Sequence, residues 1–180
     1  MKYMFASDVH GSAYYCRKML DAYKEEKAER LVLLGDLLYH GPRNDLPREY
    51  APKQVISMLN DMKKEIYAVR GNCEAEVDQM VLQFPVMADY CILNLDGRTF
   101  YATHGHIYNE NNLPPIQEGD ILIHGHTHVL KAEQKEGYVL LNPGSVSIPK
   151  EGNPPTYAVL EDGIFSIKDF QGNIVKSVVL

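Results

Sequence analysis

Lys2-Tyr3-Met4-Phe5-Ala6 is a short run of large apolar residues that breaks off into Ser7-Asp8-Val9-His10-Gly11. A run of this length, bounded by polar and Gly positions, reads as a strand whose end delivers a carboxylate and an imidazole. Arg30–Leu34 repeats the arrangement and ends in Gly35-Asp36. Between the two, Tyr15, Met19, Leu20 and Tyr23 recur at helical spacing, with charged residues filling Lys24–Arg30. Pro52 opens a second helix with Val55, Ile56, Leu59 and Met62 on one face; Pro is favoured at a first helical position. Ile66–Val69 reads as a third strand, followed by Gly71-Asn72-Cys73-Glu74, and Glu74–Phe84 as a third helix stopping at Pro85. This βαβαβ order specifies a parallel sheet with crossover helices.

The second half changes character. Cys91–Leu95 and Arg98–Thr103 flank Asp96-Gly97, a preferred hairpin turn. Thr156–Leu160 and Ile164–Lys168 flank Asp162-Gly163 in the same way, and Gly172-Asn173 leads into a last strand, Ile174–Leu180. No helical period is visible beyond about residue 90. An αβ half packed on a β-rich half predicts α/β class with a mixed two-sheet core. The length of 180 residues favours a single domain spanning 1–180.

Composition removes several function classes. The chain is 45% hydrophobic and 23% charged, an ordinary globular balance. Eighteen basic against 24 acidic residues leave a net charge of −6, which argues against binding a nucleic-acid duplex through its backbone. No apolar run approaches the ~20 residues of a membrane span. Asp8 interrupts the start where a secretory signal would stay apolar. Three cysteines, Cys16, Cys73 and Cys91, fit no zinc knuckle or disulfide framework, so a cytoplasmic location is expected.

The seven histidines fall at 10, 40, 104, 106, 124, 126 and 128, mostly beside Gly or Asp. Five segments therefore follow strand ends: Asp8–Gly11, Gly35-Asp36, Gly71–Glu74, His104-Gly105-His106 and His124-Gly125-His126-Thr127-His128. Ligands of α/β sheets gather beyond the carboxyl ends of strands, so these segments are expected on one rim. Imidazole with carboxylate suits Mn, Fe or Zn better than Ca or Mg. Asp8 and His10 are expected to alternate along an extended segment and point the same way; His126 and His128 share the spacing. So many ligands exceed one tetrahedral site but suit two metals ~3.5–4 Å apart, the clamp of phosphoryl transfer. Taken singly, Gly35-Asp36 and Gly71-Asn72 also read as turns, the latter requiring positive φ.

The order Asp8-x-His10, Gly35-Asp36, Gly71-Asn72, His104, Gly125-His126-Thr127-His128 and Asn142-Pro143-Gly144-Ser145 resembles the calcineurin-like metallophosphoesterases. Gly41-Pro42-Arg43-Asn44 and the run Pro143–Pro149 are similar to the small bacterial phosphodiesterases of the YfcE type. The resemblance implies a four-layer α/β/β/α sandwich of two mixed β-sheets flanked by helices. It also implies a dinuclear centre of two divalent metal ions, Mn2+ foremost, with Fe, Zn, Ni or Co as alternatives. Carried over by motif, Asp8, His10, Asp36 and His128 hold the first metal. Asp36 bridges to the second, completed by Asn72, His104 and His126. A bridging carboxylate has two oxygens to offer two cations. A hydroxide between them, its pKa lowered by their charge, would attack phosphorus in line.

One departure concerns the position after Asn72, where many relatives carry a histidine that helps stabilise the transition state or protonates the leaving group. Here it is Cys73, a thiol that is neither positive nor a strong donor. Asn72, Cys73 and His106 are therefore the catalytic candidates, and Arg43, Cys73 and His106 the substrate contacts. Arg43 suits a bidentate grip on a phosphate oxygen. His124 reads as orienting a ligand or packing, and His40 as ordering its loop. The long irregular stretches Tyr39–Ala51 and Gly105–Gly119 are expected to shape the pocket.

The expected activity is metal-dependent hydrolysis of a small organic phosphodiester. The rivals are a phosphomonoesterase or dinucleotide hydrolase on the same centre, and a non-catalytic protein-binding scaffold of this fold. The complete ligand set favours an enzyme. Whether copies of the chain form a homo-oligomer stays open.

Overall fold

The computed structural model describes residues 1–180. The first part of the chain runs β1 (Tyr3–Ala6), α1 (Ala13–Glu25), β2 (Arg30–Leu33), α2 (Pro52–Asp61), β3 (Ile66–Ala68) and α3 (Glu76–Val81). Strands alone follow: β4 (Tyr90–Leu95), β5 (Arg98–Thr103), β6 (Asp120–Ile123) and β7 (Lys131–Gln134). The last four are β8 (Tyr138–Asn142), β9 (Thr156–Glu161), β10 (Ile164–Asp169) and β11 (Ile174–Val179).

The strands form a six-stranded sheet ordered β11-β10-β9-β1-β2-β3 and a five-stranded sheet ordered β4-β5-β6-β8-β7. Both are mixed. β1, β2 and β3 run parallel, as do β5, β6 and β8, while the flanking strands pair antiparallel.

Side chains alternate across a strand, and that alternation assigns the layers. Met4, Ala6, Leu31, Leu33 and Val159 join Met19 and Leu20 of α1 and Val55 and Leu59 of α2 in one core. Phe5, Val32, Leu34, Ala158 and Leu160 point the other way, into a second core with Phe100, Ile121, Ile123 and Leu141 of the five-stranded sheet. Phe5 stands between Phe100 and Phe165, with ring centroids 6.1 and 5.7 Å away.

The α/β class and the two packed mixed sheets are those expected. The layer outside the five-stranded sheet is irregular chain where the sandwich would carry helices. Leu122 and Leu140 face that side and are fully buried. The loop after β5 reaches the same face, since Glu110 accepts from Lys131 Nζ at 2.7 Å.

Two elements differ from the sequence expectation. α3 is only six residues long. Its continuation is replaced by the Gln79 side chain, whose Nε2 donates to Leu82 O and Phe84 O and whose Oε1 accepts from Val86 N. The hairpin β7–β8 was not expected at all. β8 lies between β6 and β7 and carries the Asn142–Ser147 segment to the rim described next.

Candidate active site

Parallel neighbours end on the same edge, so the loops after β1, β2 and β3 and those after β5, β6 and β8 meet on one rim across both sheets. Bonds that join the halves there include His126 N to Asp8 Oδ2 (3.1 Å), Val146 N to Ser7 O (3.0 Å) and His104 Nδ1 to Leu34 O (2.6 Å).

The ligand loops are not extended, contrary to the expected alternation of Asp8 and His10. Asp8, His10, Asp36, His126 and His128 all have left-handed backbones, with φ of 60°, 50°, 56°, 65° and 60°. Such a conformation costs non-glycine residues of order 1–3 kcal/mol and persists only when the surroundings enforce it. The loops after β1 and β2 run bonded side by side: Asp8 N donates to Gly35 O, His10 N to Asp36 O and Gly11 N to Leu37 O. The Asp8 carbonyl accepts from the hydroxyls of both Ser145 (3.0 Å) and Ser147 (2.9 Å). Asn142 Nδ2 donates to Gly125 O and Thr127 Oγ1, holding the histidine-rich loop from behind.

Glu74, to which the sequence reading gave no role, locks the other side. Its buried carboxylate accepts from the backbone N–H groups of Asp36 (2.8 Å), Leu37 (2.7 Å) and Gly71 (2.5 Å). Gly71 does not adopt positive φ, so the turn reading fails. It is glycine because a Cβ there would collide with Asp36 and Glu74.

These constraints aim ring nitrogens inward. The Nδ1 atoms of His10, His104 and His128 donate to the carbonyls of Tyr39 (2.8 Å), Leu34 (2.6 Å) and Ile148 (2.6 Å). In the neutral rings Nε2 then carries the lone pair. On one side, His10 Nε2 lies 3.3 Å from His128 Nε2 and 3.6 Å from Asp8 Oδ1, and His128 Nε2 is 3.2 Å from the same oxygen. On the other, His104 Nε2 lies 3.1 Å from Asn72 Oδ1 and 3.2 Å from His126 Nδ1. Asp36 Oδ2 sits between the two sets, 3.7 Å from His10 Nε2 and 3.4 Å from His104 Nε2. A single oxygen thus faces both sides, because Oδ1 already accepts from Cys73 N at 2.9 Å.

Lone pairs at these separations repel unless a cation lies among them. Asp8 Oδ1 is buried without a hydrogen-bond partner, an expensive state that a metal ion relieves. The titration shifts of Asp8 and His104 express the same demand for positive charge. Burial would raise Asp8, yet the facing His10 and His128 rings hold it well below the carboxylate range. Burial would lower His104, but Asp36 overrides it and raises the ring to about 9. His126 is depressed to about 4, by burial and then by the His104 charge. All seven expected ligands are therefore brought together, and their donor chemistry fits divalent cations.

Above these donors opens a cavity of about 380 Å³. Gly41–Asn44 forms part of its wall, with Arg43 and Cys73, and so does Lys150, which sequence reasoning missed. Burial, followed by the Asp36 charge, pushes the Cys73 thiol far up, so it stays protonated. No residue of Gly105–Gly119 lines the cavity. His106 in that loop lies outside the wall, its ring 5.4 Å from that of His104. His124 is buried against Gly125 O and held neutral by burial. His40 packs edge-on between Tyr39 and Tyr50.

The chain was compared with known proteins. Residues 1–162 match the family model of the calcineurin-like phosphoesterase superfamily domain. The chain is 47% identical to phosphodiesterase YfcE of Escherichia coli over 93% of its own length and 91% of the relative's. The solved structure of the E. coli phosphoesterase YfcE superposes with a TM-score of 0.97 at 44% identity, covering 99% of each chain. Vps29 of Entamoeba histolytica, solved with zinc, shares the fold at a TM-score of 0.63 and 18% identity, covering 99% of this chain and 98% of its own. With the motif order, the two sheets and the converging donors, the matches make this chain a member of the calcineurin-like phosphoesterase superfamily.

Proposed function

We propose that the protein hydrolyses a small organic phosphodiester using two divalent metal ions, Mn2+ foremost, that share Asp36. The observation that carries this reading is the pair of donor sets on either side of Asp36 Oδ2. Asp8, His10 and His128 would complete one set, and Asn72, His104 and His126 the other. The identity to a named phosphodiesterase over nearly the whole chain supports the reaction type.

Such an ion pair, held by these residues, would supply Lewis-acid charge at the phosphoryl oxygens and lower the pKa of a bound water. The chain's own residues do the rest. Carbonyl bonds to Nδ1 fix the ligand tautomers, so little reorganisation accompanies the reaction. Asn72 contributes a neutral oxygen, which leaves more positive charge for the substrate than a carboxylate would. Arg43 on the cavity wall is placed to hold an anionic part of the substrate. Cys73, held as a thiol, gives the leaving oxygen a small uncharged neighbour. Good leaving alcohols are therefore favoured. His106 acts from behind, against the His104 and His126 rings.

The reading takes residues 1–180 as one domain. A cytoplasmic setting is supported by three free thiols, and no helix is long and apolar enough to cross a membrane.

The test is hydrolysis of a bis-aryl phosphate and the matching aryl monoester by chelator-stripped protein, with and without Mn2+. Metal-restored turnover favouring the diester is expected. Monoester preference would make the protein a phosphatase. Bound metal without turnover of either ester would favour a protein-binding scaffold.

A further inference from the structure

We propose that the diester carries a second anionic group, a carboxylate or a phosphate, on its small polar alcohol, received by Arg43 and Lys150. The inference rests on the diesterase reading and names its substrate class.

The two cations come from different segments, Arg43 from the loop after β2 and Lys150 from the chain beyond β8. Lys150 is tied to the centre through its backbone, since its N–H donates to His128 O at 3.1 Å. Its carbonyl accepts from Asn153 Nδ2 at 2.9 Å, which fixes the turn. Neither side chain belongs to an ion pair, although acidic residues exceed basic ones by six. Two unpaired cations facing one cavity in an acidic protein focus a local positive field.

The scissile phosphate does not need that field. Two divalent ions would balance the Asp8, Asp36 and Glu74 carboxylates and the single charge of a phosphodiester, so the floor holds no excess negative charge for Arg43 and Lys150 to neutralise. A charge farther out on the alcohol does. The same wall argues against a nucleoside: no Phe, Tyr or Trp lines the cavity and its only weakly polar or apolar side chains are Pro42 and Cys73, so a base finds no broad face to stack on.

The experiment uses the full chain loaded with Mn2+ and nitrophenyl phosphodiesters whose second alcohol ends in a carboxylate, a phosphate, a hydroxyl or a quaternary ammonium. At low salt, kcat/KM for the better of the two anionic esters should exceed the hydroxyl ester about tenfold, mainly through KM, with the ammonium ester lowest. The better of the two identifies the anion. High salt should shrink the spread, because exposed charges are screened. Lys150→Glu should reverse the order of carboxylate and ammonium esters, and Lys150→Gln should compress it. Turnover of the hydroxyl ester with no anion preference, or with ammonium preferred, overturns this inference and leaves the diesterase reading intact. A preference for the aryl monoester, or no turnover of any diester, overturns both.

Discussion

The floor of the cavity and its wall are built on opposite principles. On the floor, Asp8, His10 and His104 are buried to within 1% of complete, and each is held by backbone groups from another segment. On the wall, Arg43 and Lys150 are exposed and unpaired, free to follow a ligand. The chemistry is preorganised and the recognition is adaptable. A substitution on the floor disturbs several segments together, whereas one on the wall changes a single side chain.

Breaking the floor should therefore cost most. Asp36→Asn removes the oxygen shared by both donor sets. Turnover of a bis-aryl phosphate should fall by more than the roughly 100-fold that bounds changes behind a ligand, and calorimetry should show weaker Mn2+ binding. Glu74→Gln touches no proposed ligand atom, yet an amide cannot accept from three backbone N–H groups as the carboxylate does. Mn2+ affinity should drop about 10–100-fold, and thermal unfolding should report a loss of about 1–3 kcal/mol.

A smaller effect follows from protons competing for the same donors. His104 titrates at about 9 in the metal-free protein, so each ion binding there below that pH displaces a proton. Mn2+ affinity should rise about tenfold per pH unit between pH 7 and 8, read by titration calorimetry in two buffers. Stability of the stripped protein should move oppositely. The His104–Asp36 pair contributes fully below the ordinary histidine value of 6.5 and is lost as pH rises through about 9. A flat affinity over that range would remove His104 from the ligand set.

The least effect belongs to the wall. Cys73→Ala should slow diester hydrolysis by less than about tenfold, because a proton donor contributes ~10²–10⁴-fold and this thiol is not placed as one. A loss equal to that of Asp36→Asn would move Cys73 from wall to floor.

The same division explains what was legible in the sequence. Asp8, His10, Asp36, Asn72, His104, His126 and His128 announced themselves because each falls in a short Gly- or His-containing segment just after a recognisable strand. How they point was not legible, because bonds from residues over a hundred positions away, Ser145 and Ser147, set the Asp8 backbone. Glu74 and Lys150 were given no role from the sequence; only the folded chain puts one under the floor and the other on the wall. β7 was invisible because Lys-Ala-Glu-Gln has no apolar alternation, and β8 because its run Tyr138–Asn142 lacked a recognised partner. The parallel half read well because strand and helix alternate there with Pro52 and Pro85 as punctuation.

The straddling of two sheets by one rim has a consequence for unfolding. Asp8 and His10 leave the six-stranded sheet and His128 the five-stranded one, with Asp8 and His128 120 positions apart in the sequence. An ion held by them would act as a reversible cross-link, closing a loop whose entropy a disulfide of that span suppresses by roughly 4–5 kcal/mol. Metal supply would then set how long the two sheets stay together under heat or protease, and the stripped chain would come apart first between them.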